Sequence, residues 1–436
     1  MTEDNLYLAS TQCKTWSFGP STLATIRQNT NAAGIRSIKR GWKRARIEAS
    51  SANTPAVTPI PSSASTPIPG AAPTPSIDPT AIPDPESLTP AEELTLVHYY
   101  ILRLIDMSDV FSFPSNVKST ACVFLSRFHL HHSVQSYHPK HLIPTILFLA
   151  TKTENHYIPL SEFCKRVPKL TPEAVLKHEF TVAGGVRWDF DVRHPLRAAE
   201  GGIMELLTAL AVTANGSSDT GLQALKERLA PNPTRRVQDA HGRMKGFLTK
   251  EALVSDVYYH YTPPQVFLGA LWLADKDVAE AYIEWRFGEN STMGRVTKKR
   301  KRDKRGKDGL VAKDKNGEKE EDTPSEAAKG PPLAPKLLSV IQSCAGMMTD
   351  ARAFEKTPVE ELKRIDKKLH RCQNPQKFLG AGIAIGAGSS DGGPKKPPED
   401  AGARKQVEEG IVVGKADERK RKVEDDLFGG SLPVKV

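Results

Sequence analysis

The sequence predicts an all-α fold: two tandem five-helix repeats with additional N- and C-terminal helices, separated by long disordered linkers. Three observations carry this prediction. Between residues 88 and 287 apolar residues recur at three- and four-residue steps, and the two-residue alternation of a half-buried strand is missing. Thr-Pro pairs at 89, 171, 262 and 357 open such stretches; proline lacks only an N–H that the first turn of a helix leaves unpaired in any case. Three stretches, 49–87, 288–333 and 374–436, are too rich in Pro, Gly or charge to bury a core, and eleven prolines fall within 51–90.

In chain order, residues 1–48 form an N-terminal helical segment and 88–193 the first repeat. Thr89-Pro90-Ala91-Glu92 is a capping box, in which Thr89 accepts a backbone N–H and Glu92 reaches back. Leu94, Val97, Ile101 and Leu104 then mark one face of a helix. After Pro114, Val117, Ala121, Phe124, Leu125 and Phe128 mark a second. The third, after His138-Pro139, holds Leu142, Ile143, Ile146, Leu147 and Ala150, and being apolar nearly all round it belongs at the centre. A short fourth helix holds Leu160 and Phe163. The fifth starts at Thr171-Pro172-Glu173 and carries Val175, Leu176, Phe180 and Val182 on its apolar face.

Residues 194–287 repeat this plan in degraded form, with helices at 198–213, 236–256, 263–274 and 278–287. The fifth helix of this copy lies beyond the basic insertion, at 335–354, with Leu337, Val340, Ile341, Cys344 and Met348 in step. A last helix, 358–372, starts at Thr357-Pro358, so that 335–373 closes the folded part and 374–436 is tail.

The 436 residues carry a formal charge of +10, and that charge is local. Residues 295–307 hold nine Lys/Arg and one Asp, and 1–47 hold eight Lys/Arg against Glu3 and Asp4, which leaves the rest of the chain net acidic. A nucleic-acid-binding domain carries its charge on packed structure, so direct specific nucleic-acid binding is not expected. Lys298, Lys299, Arg300, Lys301 and Arg302 instead fit a nuclear-import segment, which makes the expected location nuclear. No apolar run is long enough to span a membrane, and the acidic start has no apolar h-region for secretion. Five scattered cysteines with no C-x-x-C pair suit a reducing compartment and give neither a disulfide framework nor a zinc ribbon.

Catalytic chemistry is not legible. Gly380-x-Gly382-x-x-x-Gly386 misses the dinucleotide spacing and follows a helix, so no cofactor is expected. His129, His131, His132 and His138 beside Cys122 lack a third ligand in register, so no metal is expected either. No nucleophile–base set is evident, and the chain reads as a non-enzyme. Thr54, Thr58, Thr66, Thr74 and Thr323 precede proline in the linkers, where proline-directed phosphorylation fits them.

Glu92–Phe111, residues 114–139 (PSNVKSTACVFLSRFHLHHSVQSYHP) and 147–154 (LFLATKTE) resemble the first cyclin box. Trp16-Ser17-Phe18, Tyr261-Thr262-Pro263-Pro264-Gln265 and His370-Arg371-Cys372 add to the resemblance. It covers 14–48, 88–287 and 335–373 and is nearest to the cyclin H type within the cyclin family. What it implies is a noncatalytic subunit that activates a cyclin-dependent kinase catalytic subunit by docking on the C-helix of its N-lobe. The setting implied is the CDK-activating kinase of general transcription factor IIH, acting on the RNA polymerase II C-terminal domain and on kinase activation loops. A RING-finger assembly subunit and the transcription factor IIH core are further implied partners. The family's kinase-binding positions fall on Lys152, Glu179, Trp188 and Phe190.

The sequence departs from the cell-cycle cyclins at Ser126, at Lys152-Thr153-Glu154-Asn155, and at Gly184-Gly185 inside helix five. These departures speak against a substrate-docking, cell-cycle type. Two alternatives stay open: a cyclin C-like subunit of the Mediator kinase module, and a IIB-type promoter-binding factor. The latter needs a zinc ribbon and basic repeats.

Overall fold

The computed structural model describes residues 3–52, 83–166, 170–214, 220–288 and 333–384. The expectations placed on the Pro-rich linker, the basic insertion with its 298–302 import residues, the linker Thr-Pro pairs, the Gly380–Gly386 spacing and the distal tail lie wholly or mostly outside these residues. All regular structure among the described residues is helical. The N-terminal segment forms α1 (Glu3–Ala9), α2 (Thr11–Trp16) and α3 (Pro20–Ala52). The first repeat is α4 (Pro90–Val110), α5 (Ser115–His131), α6 (Pro139–Thr153), α7 (Leu160–Arg166), α8 (Pro172–Leu176) and α9 (Glu179–Gly185).

The second repeat is α10 (Pro195–Ala214), α11 (Thr220–Arg228), α12 (Pro233–Thr249), α13 (Glu251–Val254), α14 (Val257–His260), α15 (Pro263–Ala274), α16 (Lys276–Phe287) and α17 (Leu333–Asp350). Three C-terminal helices follow: α18 (Arg352–Glu355), α19 (Val359–Gln373) and α20 (Pro375–Ala384).

Local chemistry sets the starts. Thr89 Oγ1 accepts from Glu92 N (3.2 Å) and Glu92 Oε2 accepts from Thr89 N (2.8 Å), so the capping box is complete. Gln265 Oε1 accepts from Thr262 N at the head of α15 (2.9 Å). α6 is the axis of the first repeat, with Leu142, Ile143, Ile146, Leu147 and Ala150 all buried. α15 holds the same place in the second, packed by α10, α12, α16 and α17.

Five sequence expectations need correction. The stretch expected as one helix at 236–256 is α12 and α13, parted at Lys250. Helix five of the first repeat is two pieces, α8 and α9, and its Leu176 and Phe180 face outward. α11 was not anticipated; with Leu222 and Leu225 as its only large apolar residues, it has too thin a stripe to stand out. Thr357 does not cap α19: Pro358 holds the cap position, and Thr357 Oγ1 donates to Phe354 O (2.9 Å). Helix also continues past residue 374, because α20 packs on α3 with Leu379 buried.

The terminal helices fasten the repeats together. In α3, Asn31 Nδ2 donates to Leu88 O and to the buried Glu93 carboxylate, and Arg27 makes a two-pronged pair with Asp256 of the second repeat (2.6 and 2.8 Å). Trp42 Nε1 donates to Cys372 O at the end of α19 (3.0 Å). Arg364 and Lys368 of α19 both reach Glu92. Burial works against the Glu92 charge, yet the bonds from Thr89, Lys368 and Arg364 outweigh it and hold that carboxyl below its usual range. Ser126, one of the departures noted above, shares a hydrogen bond with Tyr259 Oη (2.7 Å) and so ties α5 to the second repeat.

Candidate functional site

The site is built where α6 ends and helix five passes it. Lys152 sits in the last turn of α6, and its Nζ donates to Glu179 Oε1 at the first residue of α9. The same ammonium lies 5.0 Å from the centre of the Phe148 ring. The two helices are thereby pinned at one rim, and both charged groups remain partly exposed.

At the break in helix five, a carbonyl is satisfied from across the bundle. In a continuous helix the Val175 carbonyl would accept from the amide four residues on; here it accepts from Thr145 Oγ1 of α6 (2.7 Å). The chain restarts as α9 with Val182 N donating to His178 O. Val175 and Val182 anchor the two pieces inward. Gly185 then lets α9 close on α5, because a Cβ there would lie 2.3 Å from Phe128 Cδ2. Arg187 (φ 59°) and Trp188 (φ 57°) turn the chain away in the left-handed region.

The outcome is an apolar stripe facing solvent. Leu176, Phe180 and Trp188 follow one another at four- and eight-residue steps, and Phe180 and Trp188 are 81% and 60% exposed. Tyr157, in the α6–α7 loop, is 79% exposed. The Phe180 and Trp188 rings meet edge to face at 6.2 Å, and Trp188 meets Phe190 at the same separation. Phe190 itself is half-buried, its ring 6.0 Å from that of core Phe124. Large exposed apolar side chains gathered in this way mark an interaction surface.

Of the four predicted binding residues, Lys152 and Glu179 are in contact, Trp188 and Phe190 meet ring to ring, and Trp188 also meets Phe180, the residue after Glu179. Sequence reasoning missed Tyr157, Leu176 and Phe180 as surface residues. Leu176 and Phe180 had only their apolarity as a signal, which fitted the apolar face of helix five equally well, and Tyr157 lies in a loop that carries no periodic signal.

The histidine group serves packing. Burial pushes His129 down to about 3, with its Nδ1 against His132 O (3.0 Å), while His132 stacks on Phe128 (4.5 Å). No set of three His, Cys, Asp or Glu among the described residues is arranged to hold a metal ion. No helix among them is long and apolar enough to cross a membrane.

Comparison with known proteins bears on both repeats. The sequence model of the Cyclin C-terminal domain matches residues 194–349. The cyclin mcs2 of Schizosaccharomyces pombe is 37% identical over 45% of this chain and 55% of its own length. The cyclin CCL1 of Saccharomyces cerevisiae is 28% identical over 66% of this chain and 62% of its own. The chain thus spans little more than half the length of these curated relatives. Among solved structures, a chain of the CAK complex of Chaetomium thermophilum bound to ATP-γ-S superposes with a TM-score of 0.56. It is 26% identical, and the match covers 90% of this chain and 100% of that one. On the two helical repeats and these likenesses together, the chain is similar to cyclins, with the Cyclin C-terminal domain placed on residues 194–349.

Proposed function

We propose that this chain is the regulatory subunit of a cyclin-dependent kinase, docking on the C-helix of the kinase N-lobe through α6, α8 and α9. The observation that carries the reading is the exposed set Leu176, Phe180 and Trp188, in which Phe180 directly follows Glu179 of the Lys152–Glu179 pair, with Tyr157 also exposed in the loop after α6. An apolar centre flanked by charged groups is the composition of a protein-binding hot spot. The likeness to a chain of the CAK complex supports a kinase as the occupant.

The mechanism is a population shift. A free kinase keeps its C-helix rotated outward, and its strand lysine then cannot pair with the C-helix glutamate that aligns the ATP phosphates. A subunit that binds the inward state better moves the equilibrium. Taking it from 1:99 to 99:1 requires about 5.5 kcal/mol of differential affinity, within reach of an interface of roughly 1,600 Å² with a few buried anchors. The chain supplies no catalytic group and needs no cofactor in this scheme.

The setting proposed is nuclear, in a CDK-activating kinase of the transcription factor IIH type acting on the RNA polymerase II C-terminal domain and kinase activation loops. A RING-finger assembly subunit and the transcription factor IIH core complete the proposed partners. The test is titration of the purified chain into an isolated cyclin-dependent kinase, with phosphate transfer as the readout. Activation with no transfer by the chain alone is expected; transfer by the chain alone overturns the reading. Affinity purification should recover a kinase with helicase subunits, whereas Mediator subunits would select the cyclin C-like alternative and promoter DNA the IIB-type one.

A further inference from the structure

Trp188 is exposed on a turn that the chain would not choose unaided. Arg187 and Trp188 both carry side chains and both sit at positive φ, 59° and 57°. Bulky L-residues hold that conformation only where their surroundings over-determine it. Part of the hold is local: Arg187 N donates to Gly184 O and Trp188 N to Ala183 O, both at 2.9 Å.

The rest comes from the far end of the sequence. Asp189 Oδ1 accepts from Thr11 Oγ1 (2.6 Å), and Asp189 Oδ2 accepts from the buried Trp16 Nε1 (2.9 Å). The Asp189 carbonyl accepts from Arg127 Nη1 (3.2 Å). The guanidinium groups of Arg127 and Arg187 lie over the Trp16 ring, 4.8 and 5.5 Å from its centre. Gln12, the residue after Thr11 in α2, accepts through Oε1 from Arg193 N (2.7 Å). The inner side of the turn is thus fastened to α2 and α5, and its outer side presents Trp188.

We infer that Asp189, held by Thr11 and Trp16 of α2, is a positioning residue for kinase docking: it fixes the Arg187–Trp188 turn so that Trp188 stands beside Phe180. The inference rests on the docking reading above. Asp189 acts through Trp188 in this scheme, so removing Trp188 first should make Asp189 irrelevant to the partner. A residue that merely supports the fold would affect binding equally in both backgrounds.

The test is a double-mutant cycle in the full chain, reading kinase affinity from activation titrations. Asp189→Ala is expected to weaken binding five- to tenfold, about 1–1.4 kcal/mol, and Trp188→Ala at least as much. In the Trp188→Ala background, Asp189→Ala should change affinity less than twofold. Asp189→Asn keeps an acceptor for Trp16 and should recover part of the loss; circular dichroism checks the fold of each variant, and Asp189→Asn carries the comparison if Asp189→Ala misfolds. Unchanged affinity in Asp189→Ala, or a double variant losing the product of the two single effects, overturns the inference while leaving the docking reading intact. A parent chain that does not bind the kinase overturns both.

Discussion

The fifth helix occupies the same place in both repeats and is put to opposite uses. In the second repeat α17 runs unbroken for 18 residues and turns Ile341, Cys344 and Met348 inward. Gly269 of α15 makes room for it, since a Cβ there would lie 3.0 Å from both Cys344 Sγ and Met348 Cε. In the first repeat the helix is 5 and 7 residues in two pieces, its inward contacts shrink to Val175, Val182 and their neighbours, and Leu176 and Phe180 point away. A helix that satisfies its bundle has no apolar face left to offer. Breaking it, with the Thr145 hydroxyl taking over one carbonyl, frees such a face and keeps the core closed. The difference between the repeats is therefore one of exposure: one fifth helix turns its apolar face into the bundle, and the other turns it outward, where the docking proposal puts the partner.

That difference can be broken most forcefully at Ile341. Ile341→Asp places an unpaired carboxylate against α15 and should cost more than about 4 kcal/mol in a denaturant titration. A loss under about 1 kcal/mol would mean that α17 is not the fold-bearing helix described here.

Acid provides the next largest effect, and it falls on the first repeat. Burial holds His98 of α4 down at about 4, against the opposing pull of the Asp256 carboxylate and with a smaller push in the same direction from Arg27. Its ring packs 3.9 Å from that of Phe354. Above pH 6.5 neither the folded nor the unfolded chain protonates this group, so no stability depends on it. As pH falls from 6.5 towards 4, the unfolded chain takes up a proton that the folded chain refuses, and stability is lost at about 1.4 kcal/mol per unit. For His98 this amounts to roughly 3 kcal/mol, and His129 acts in the same sense. In His98→Phe, the gap in unfolding free energy between pH 7 and pH 4.5 should shrink accordingly. An unchanged gap would remove His98 as a source of acid sensitivity.

Phe180→Ala isolates recognition from stability. Exposed as it is, Phe180 contributes little to the fold, and the variant should melt within about 0.5 kcal/mol of the parent. Kinase affinity should fall by roughly 30-fold, about 2 kcal/mol, as for a hot-spot aromatic. A large loss of stability with unchanged binding would reverse the roles assigned to the two fifth helices.

How much of this was legible in the sequence depends on how local the cause is. The Thr89–Glu92 box, the all-round apolar α6 and the 263–274 helix were readable because their causes lie within a few residues. The break between Leu176 and Glu179 was not, because the group that satisfies the Val175 carbonyl there is a hydroxyl 30 residues away on another helix. Periodicity showed that Leu176 and Phe180 share a stripe, but a stripe does not say which way it faces. Lys152 and Glu179 were picked out by resemblance alone, and only the folded chain brings their charges together, 27 residues apart. The Trp16–Asp189 contact, spanning 173 residues, had no sequence signal at all.

The smallest effect on stability belongs to the Lys152–Glu179 pair, which makes it the sharpest probe of recognition. Both side chains are partly exposed, and an exposed ion pair contributes only about 0–1 kcal/mol to folding. Lys152→Glu or Glu179→Lys should therefore leave the melting transition almost in place. For the kinase each reversal removes a hydrogen bond to a charged group and adds repulsion, so at least tenfold weaker binding is expected, about 1.4 kcal/mol. The double reversal separates two ways of being recognised. It restores the pair within the chain but exchanges the two charges in space. If the partner reads each charge separately, the double variant binds no better than the worse single one. If the pair matters only as a clamp between α6 and α9, binding returns to the parental value. Arg235→Glu, on the exposed start of α12 in the second repeat, is the control and should change nothing. Parental affinity in both single reversals would remove these two residues from the docking face, while the apolar stripe would still be tested separately by Phe180→Ala.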